Sequence, residues 1–529
     1  MDAERADLAY GTISRAVRAA ATRFRDAEAL VDDDLRLSFS ELSARVDEAG
    51  RAFMAAGLEP GDRVAVWAPN MAEWVLGALG ALAAGGVVVP LNTRFKGAEA
   101  AYVIGRSRAR MLLCVNGFLG NDYVDALRRS GEELAALERI VVLRGDVPPG
   151  THSWDDFLAG GAAVEPAALD ARVEARSPDD LSDIIFTSGT TGRPKGVMVS
   201  HAQTLRVFWD WSGIVGLDAG DRYLIVNPFF HTFGYKAGIV AALMRGATII
   251  PVAVFDVPTV LQKVSDERVT MLPGPPTLYL SILNHPERDR FDLSSLRLAV
   301  TGAAAVPVEM IRRMRDELTF RTIITGYGLT ESTGTVTMCR ADDDPETIAT
   351  TSGRAIHDVE VRVVDDDGSE VPRGSTGEVV CRGYNVMLGY FEDPTATAEA
   401  VDADGWLHTG DVGVMDERGY IDITDRLKDM FIVGGFNAYP AEIENALLGH
   451  EAVAQAAVVG VPDERMGEVG HAFVVARPGA TVDPEALISW CRERMANYKV
   501  PRAVHVVDAL PVNASGKVLK FELRDRAQG

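Results

Sequence analysis

Ten consecutive residues, Thr187-Ser-Gly-Thr-Thr-Gly-Arg-Pro-Lys195-Gly196, concentrate hydroxyls, glycines and a lysine between the apolar runs DIIF and GVMVS. Thr187, Ser188, Thr190 and Thr191, with backbone N–H groups around Gly189 and Gly192, can donate to phosphate oxygens, and Lys195 adds a charge-assisted contact. The segment is not a GxxxxGK[ST] loop, because its glycine and Ser/Thr positions do not fit and Pro194 would interrupt the helix that such a loop opens. A Gly/Ser linker is the plain alternative, but linkers seldom take this length and order between two apolar strands.

Composition narrows the ligand. A formal charge of −23 opposes nucleic-acid binding, so an anionic nucleotide has to be held by a few local cations, backbone N–H groups and a bridging metal. Four cysteines (Cys114, Cys339, Cys381, Cys491) lie far apart, without metal-ligand spacing, and read as free thiols. The charged start MDAERADLAYGTISRA lacks the apolar core of a signal peptide, which leads to the expectation of a cytoplasmic location. Trp74 to Leu91 is uncharged and nearly long enough to span a bilayer. Its Ala/Gly content, the Gly85-Gly86 break and the run Val87-Val88-Val89-Pro90 predict a buried helix followed by a buried strand instead, with no transmembrane segment.

The elements that must position the loop follow from the same patterns. With 529 residues, 47% apolar and 24% charged, the chain should fold throughout and exceed one core. From about residue 40 to 420, helical patterns alternate with β-branched runs, predicting α/β layers. Strands are expected at Arg63 to Trp67, Asp183 to Thr187, Tyr223 to Val226, Ala247 to Val252, Thr270 to Leu272, Leu296 to Thr301 and Thr322 to Thr325. Ligands of such sheets sit outside the carboxyl ends of strands. After Asp425-Arg426-Leu427-Lys428 a compact α+β set begins, with a helix from Pro440 and strands near Ala456 to Gly460, His471 to Ala476 and Ala503 to Val507. The expected domains are residues 1–427 and 428–529.

The loop resembles the phosphate loop of the adenylate-forming superfamily of acyl-CoA synthetases, carrier-protein adenylation domains and luciferases. Six further motifs agree in order: Asn227-Pro-Phe-Phe-His231, Gly302-Ala303-Ala304, Thr325-Gly326-Tyr327-Gly328-Leu-Thr330-Glu331, Trp406-Leu-His-Thr-Gly-Asp411, Asp425-Arg426-Leu-Lys428 and Asn513-Ala-Ser-Gly-Lys517. The resemblance implies an α/β fold: a large N-terminal part of α/β subdomains with a distorted β-barrel, and a small mobile C-terminal α+β domain. It implies an acid:thiol ligase that makes acyl-AMP from a carboxylic acid and ATP, then an acyl-CoA thioester, releasing AMP and pyrophosphate. ATP, Mg²⁺ and coenzyme A are the implied cofactors and cosubstrates, and a homodimer is among the assemblies it allows.

By resemblance Glu331 coordinates Mg²⁺, Thr330 meets the α-phosphate, Asp411 and Arg426 hold the ribose, and Lys517 stabilises charge during adenylation. Tyr327 offers an aromatic face to adenine, with Gly302 to Ala304 opposite. His231 is expected near the reacting carboxylate, positioning it rather than taking a proton, since a carboxylate is already ionised at neutral pH. Phe233 and Lys236 are expected to border the acyl group. Lys236 is a cation inside the apolar run Gly234 to Met244; it either binds a substrate ketone or snorkels to solvent. Gly434 and Gly435 suit the narrow pantetheine arm, although a tight turn accounts for them equally. Arg465 is a candidate for coenzyme A phosphates. Lys428 is expected to serve as the hinge between half-reactions, and the residues around Lys517 resemble regulatory acetylation sites.

A narrower resemblance, carried by NPFFHTFGYKAG, LPGPPTLY, FDLSSLRLAVTGAAAVP and TMCRADDD, is to an actinobacterial subgroup acting on the indanedione propionate left from sterol ring degradation. Medium-chain fatty and aryl-propionic acids are the competing substrates. A carrier-protein adenylation enzyme, an ADP-releasing phosphotransferase and an inactive paralogue are the competing functions.

Overall fold

A computed structural model describes residues 5–187, 194–302, 306–426, 429–433, 436–438, 440–463, 466–492, 494–495, 497–512 and 518–528, with the side chains of residues 425, 426, 432, 436, 437 and 442 left aside. The chain forms two compact units, residues 1–360 with 381–407 and residues 361–380 with 408–529.

The larger unit is built on an eight-stranded sheet. Its middle strands Arg63–Trp67 (RVAVW) and Val87–Pro90 (VVVP) pair in parallel and are almost wholly buried, which is why they read as continuous apolar runs rather than alternating ones. The helix Ala72–Ala83 is buried along nearly all its length, and the uncharged stretch from Trp74 is therefore core. No helix among the described residues is long and apolar enough to cross a membrane. β1 (Leu181–Thr187) joins this sheet beside Val87–Pro90 and pairs antiparallel with β2 (Lys195–Ser200). Thr187 stands opposite Lys195 in that register, so the two ends of the phosphate-loop segment are held together as a closing pair. α1 (His201–Val215) follows at once, started by a reciprocal capping box between Ser200 and Gln203.

β3 (Arg222–Ile225) and β4 (Thr248–Pro251) pair in parallel in a second sheet. β5 (Leu298–Gly302) and β6 (Thr322–Tyr327) form a third parallel pair, in which Gly302 lies opposite Gly326. The expected strand at residues 270–272 is reduced to Met271, which bridges Tyr223 and Leu298. Pro273, Pro275 and Pro276 follow directly and cannot donate to a ladder. A π-helix, Phe233–Val240, runs on into the α-helix Ala241–Arg245. The last strand concerned with the site is β7 (Gly389–Tyr390), paired with β2 through Val197↔Tyr390 and Met198↔Gly389.

The smaller unit carries a four-stranded sheet, ordered Glu360–Val364, Thr376–Arg382, Leu407–Met415, Ile421–Arg426. It also carries a five-stranded sheet around the long hairpin Val453–Asp463 and Gly467–Ala476. Helices Pro440–Leu448 and Pro484–Arg492 bury Ile443, Leu447, Leu487 and Ile488 in the same core as Val458 and Val474.

Candidate functional site

At the ends of β1, β2, β6 and β7 four chemically active side chains converge. The Tyr390 hydroxyl donates to Glu331 Oε1 at 2.9 Å, and Thr187 Oγ1 lies 3.5 Å from the same oxygen. Lys195 Nζ stands 5.0 Å from the centre of the Tyr390 ring. Burial, reinforced by the Glu331 carboxylate, pushes the Tyr390 phenol well above its ordinary range, so it stays a proton donor. Glu331 sits in the single 3-10 turn Thr330–Ser332 after β6, which leaves it half-buried. Gly328 in the preceding bend has no room for a side chain, because a Cβ there would stand 2.4 Å from the Gly334 carbonyl oxygen.

This turn is held by a strap that the sequence reading missed. The Thr333 hydroxyl donates to the Asn385 carbonyl at 2.7 Å, Asn385 Nδ2 donates to the Thr335 carbonyl at 3.0 Å, and Met387 N–H donates to the Glu331 carbonyl at 2.8 Å. Gln203 on α1 in turn holds the carbonyls of Tyr384 and Val386. The available signal was the run Gly383-Tyr-Asn-Val-Met-Leu-Gly-Tyr390 between a strand and a helix, with two tyrosines and an asparagine in a short connection.

Gly302, the last residue of β5, lies opposite Gly326 of β6, and half-buried Tyr327 closes β6 opposite Thr337. Thr325 differs from its neighbours. Its hydroxyl lies 2.9 Å from the Ile348 carbonyl and 3.1 Å from that of Thr351, so it is engaged inside the core.

A second group lies along residues 231–236. His231 is surface-exposed, yet the protein around it desolvates the ring and lowers its pKa. Phe233 N–H donates to Nδ1 at 3.3 Å, which leaves the proton of a neutral imidazole on Nε2. Half-buried Phe233 meets Trp211 of α1 edge to face, with ring centres 6.0 Å apart. Lys236 does not snorkel to solvent. It is 1% exposed, and its ammonium stands 2.9 Å from Oδ1 of Asp183, a carboxylate on β1 with no exposure at all. Burial pulls the Lys236 pKa down and Asp183 opposes that pull. The acidic partner was not singled out in the sequence; its only signal is a charge inside an apolar strand.

In the smaller unit, taken by itself, Asp411 is 3% exposed on Leu407–Met415, directly opposite Arg426 in the strand register. Ser188, Gly189, Thr190, Thr191, Gly192, Ala303, Ala304, Lys428, Gly434, Gly435, Arg465 and Lys517 lie outside the described residues, and Arg426 is described by its backbone alone.

The sequence profile of the AMP-binding enzyme family matches residues 17–391, and that of the AMP-binding enzyme C-terminal domain matches residues 442–517. The chain is 52% identical over 517 residues to a 3-[(3aS,4S,7aS)-7a-methyl-1,5-dioxo-octahydro-1H-inden-4-yl]propanoyl:CoA ligase of Rhodococcus jostii, covering 97% of this chain and 98% of that one. It is 50% identical over 514 residues to the ligase of the same name from Mycobacterium tuberculosis, with 97% and 98% covered. Among solved structures, the anthranilate CoA ligase AuaEII in complex with anthranoyl-AMP superposes with a TM-score of 0.87 at 29% identity, covering 98% of each chain. ATP-bound MatB from Rhodopseudomonas palustris gives 0.86 at 30% identity, covering 98% of this chain and 99% of that one.

Proposed function

The chain belongs to the AMP-binding enzyme family and is an acyl-CoA ligase, and we propose that the acid it activates is 3-(7a-methyl-1,5-dioxo-octahydro-inden-4-yl)propanoate, the acyl group in the names of its relatives. ATP and coenzyme A are its cosubstrates. The observation that carries the substrate is the 52% identity over nearly the full length of both chains. A cytoplasmic location belongs to the same reading, supported by four cysteines that are all free and buried.

In this reading the acid's carboxylate attacks the α-phosphorus of ATP, the bond to the β-phosphate oxygen breaks, and pyrophosphate leaves. The coenzyme A thiolate then attacks the acyl carbon and AMP leaves. The first step crowds anions together, so the protein has to supply charge where it accumulates. Lys195 and the segment from Thr187 to Gly192 serve the phosphates. Lys517 serves the α-phosphate, with Thr330. Tyr327 and residues 302–304 take the adenine, and Asp411 with Arg426 the ribose. His231, neutral, positions the carboxylate. Gly434, Gly435 and Arg465 are the candidates for coenzyme A, and Lys428 for the hinge between steps.

Magnesium fits the residues present. Among the described residues no three ligating side chains cluster, and Mg²⁺ ordinarily takes one or two carboxylates plus substrate phosphates and water rather than a protein cage. Glu331 offers that carboxylate, oriented by Tyr390. When bound, the ion neutralises phosphate charge.

Pyrophosphate release with coenzyme A, measured on the indanedione propanoate, octanoate and 3-phenylpropanoate, tests the substrate. The dioxo acid should give the highest kcat/KM, by about tenfold or more, the discrimination that a few matched pocket contacts supply. A preference for octanoate or 3-phenylpropanoate would refute it.

A further inference from the structure

Taking an ammonium and a carboxylate out of water is costly, and their attraction repays that cost only with good geometry, so a pair exposed by 1% and 0% is a poor device for stability. The best-attested use of such a group is to specify one register over another. The segment that carries Lys236 has a register to specify. Phe233–Val240 is a π-helix, whose i→i+5 bonds are rare over more than a turn and concentrate at functional sites. Reverting to α geometry would rotate Lys236 relative to His231 and Phe233 and take its ammonium away from Asp183.

Two contacts flank the π segment. On one side Gly234 packs against the turn before it, where a Cβ would meet the Pro228 carbonyl oxygen at 2.1 Å. On another, Lys236 reaches Asp183, whose second oxygen accepts the Ser182 hydroxyl at 2.6 Å. Neighbouring polar atoms are not what the register serves. Tyr235, next to Lys236, is fully buried, its hydroxyl has no protein hydrogen-bond partner, and neither does the indole N–H of Trp74, whose ring lies 5.4 Å from that of Tyr235.

We propose that the Asp183–Lys236 ion pair pins the π register of residues 233–240 and so sets where His231 and Phe233 stand, making Asp183 and Lys236 positioning residues for the acid. This rests on the reading that His231 and Phe233 border the acid. It also gives the acid-side segment a rigid tie to β1, the strand that ends at Thr187, where the phosphate-loop segment begins.

The test is Asp183→Leu combined with Lys236→Met, which removes both charges together and leaves neither unpaired. Melting temperature, KM for the acid, KM for ATP, and amide hydrogen exchange over residues 228–245 are measured with the indanedione propanoate and with octanoate. The expected result is a folded protein with acid KM raised at least tenfold, ATP KM within twofold of the parent, and faster exchange confined to that segment. Should this variant not fold, Asp183→Asn with Lys236→Met, which retains the shape of Asp183 and its contact with Ser182, is read by the same constants. A folded neutral variant with parental acid KM and parental exchange would overturn the proposal. A wrong substrate assignment is distinguishable, because it shows as the parent enzyme preferring octanoate, whereas the pin is read from the ratio of variant to parent on either acid.

Discussion

The two sides of the candidate site solve opposite electrostatic problems. Where the phosphate-loop segment begins and ends, Thr187, Lys195, Glu331 and Tyr390 are partly exposed at strand ends, with the Tyr390 hydroxyl spent on Glu331 and the charges of Lys195 and Glu331 left within reach of a ligand. Behind residues 231–236 the charge is sunk into the core, where the Lys236 ammonium stands against the Asp183 carboxylate rather than waiting for a ligand. Side chains that wait for a ligand leave short polar motifs in a sequence. Side chains that wait for one another leave only isolated charges in apolar runs.

The largest test of this contrast is Glu331→Gln. If the nucleotide side works by holding charge ready for phosphate and metal, the loss of one carboxylate costs several kcal/mol of transition-state stabilisation, about a hundredfold or more in kcat/KM for ATP. Stability should barely change, because the turn is held by Ser332, Thr333 and Asn385 rather than by the Glu331 carboxylate. Pyrophosphate release and a melting curve measure the two. A large fall in melting temperature with modest loss of activity would place Glu331 with the structural groups and erase the contrast.

Legibility followed the same division. The strands Arg63–Trp67 and Thr322–Tyr327 and the helix Pro440–Leu448 were readable because one pattern, apolar run or cap and period, sets each element locally. Met271 broke the rule because the prolines after it remove donors that an apolar, β-branched composition does not count. Asn385 and Tyr390 were missed because their role is fixed by contacts 50 and 59 residues away in sequence, with Thr335 and Glu331. Lys236 was singled out as an anomaly, but its partner lies 53 residues earlier on another element, and the choice between ketone and solvent left out a buried carboxylate.

The interior behind the acid side offers an intermediate test. His201, 2% exposed at the start of α1, accepts the Ile13 N–H on Nδ1 at 3.3 Å. Burial lowers its pKa from 6.5 to about 4, so the folded protein keeps it neutral. Below pH 6.5 the unfolded chain binds a proton there that the folded chain refuses, and stability is therefore lost as pH falls from 6.5 toward 4. At 1.36 kcal/mol per unit, the full loss is up to about 3 kcal/mol. His201→Gln retains an acceptor for Ile13 and should remove this component. Denaturant unfolding at pH 7 and pH 4.5 measures it as the difference between parent and variant. An equal acid loss in both would mean that His201 is protonated in the folded state, and the interior would be less dry than the Asp183–Lys236 pair requires.

The smallest effect expected comes from Tyr390→Phe, and it tests the claim that the nucleotide side is prepared rather than merely exposed. The substitution leaves the ring under Lys195 and removes one hydroxyl, the donor to Glu331 Oε1. A partner of this kind orients a ligating carboxylate, and its loss typically weakens metal affinity by about tenfold. Half-saturating Mg²⁺ should rise by that factor while kcat at saturating Mg²⁺ stays within about twofold, because the carboxylate is still present and only its orientation has been loosened. The effect should be constant from pH 6 to 9, since burial and Glu331 keep the phenol protonated throughout. It should also vanish in the Glu331→Gln background, because a group that acts through Glu331 has nothing left to orient; coupling between touching residues is what a double-mutant cycle isolates. Full additivity of the two substitutions would instead assign Tyr390 to the ligand directly and leave Glu331 without its orienting donor.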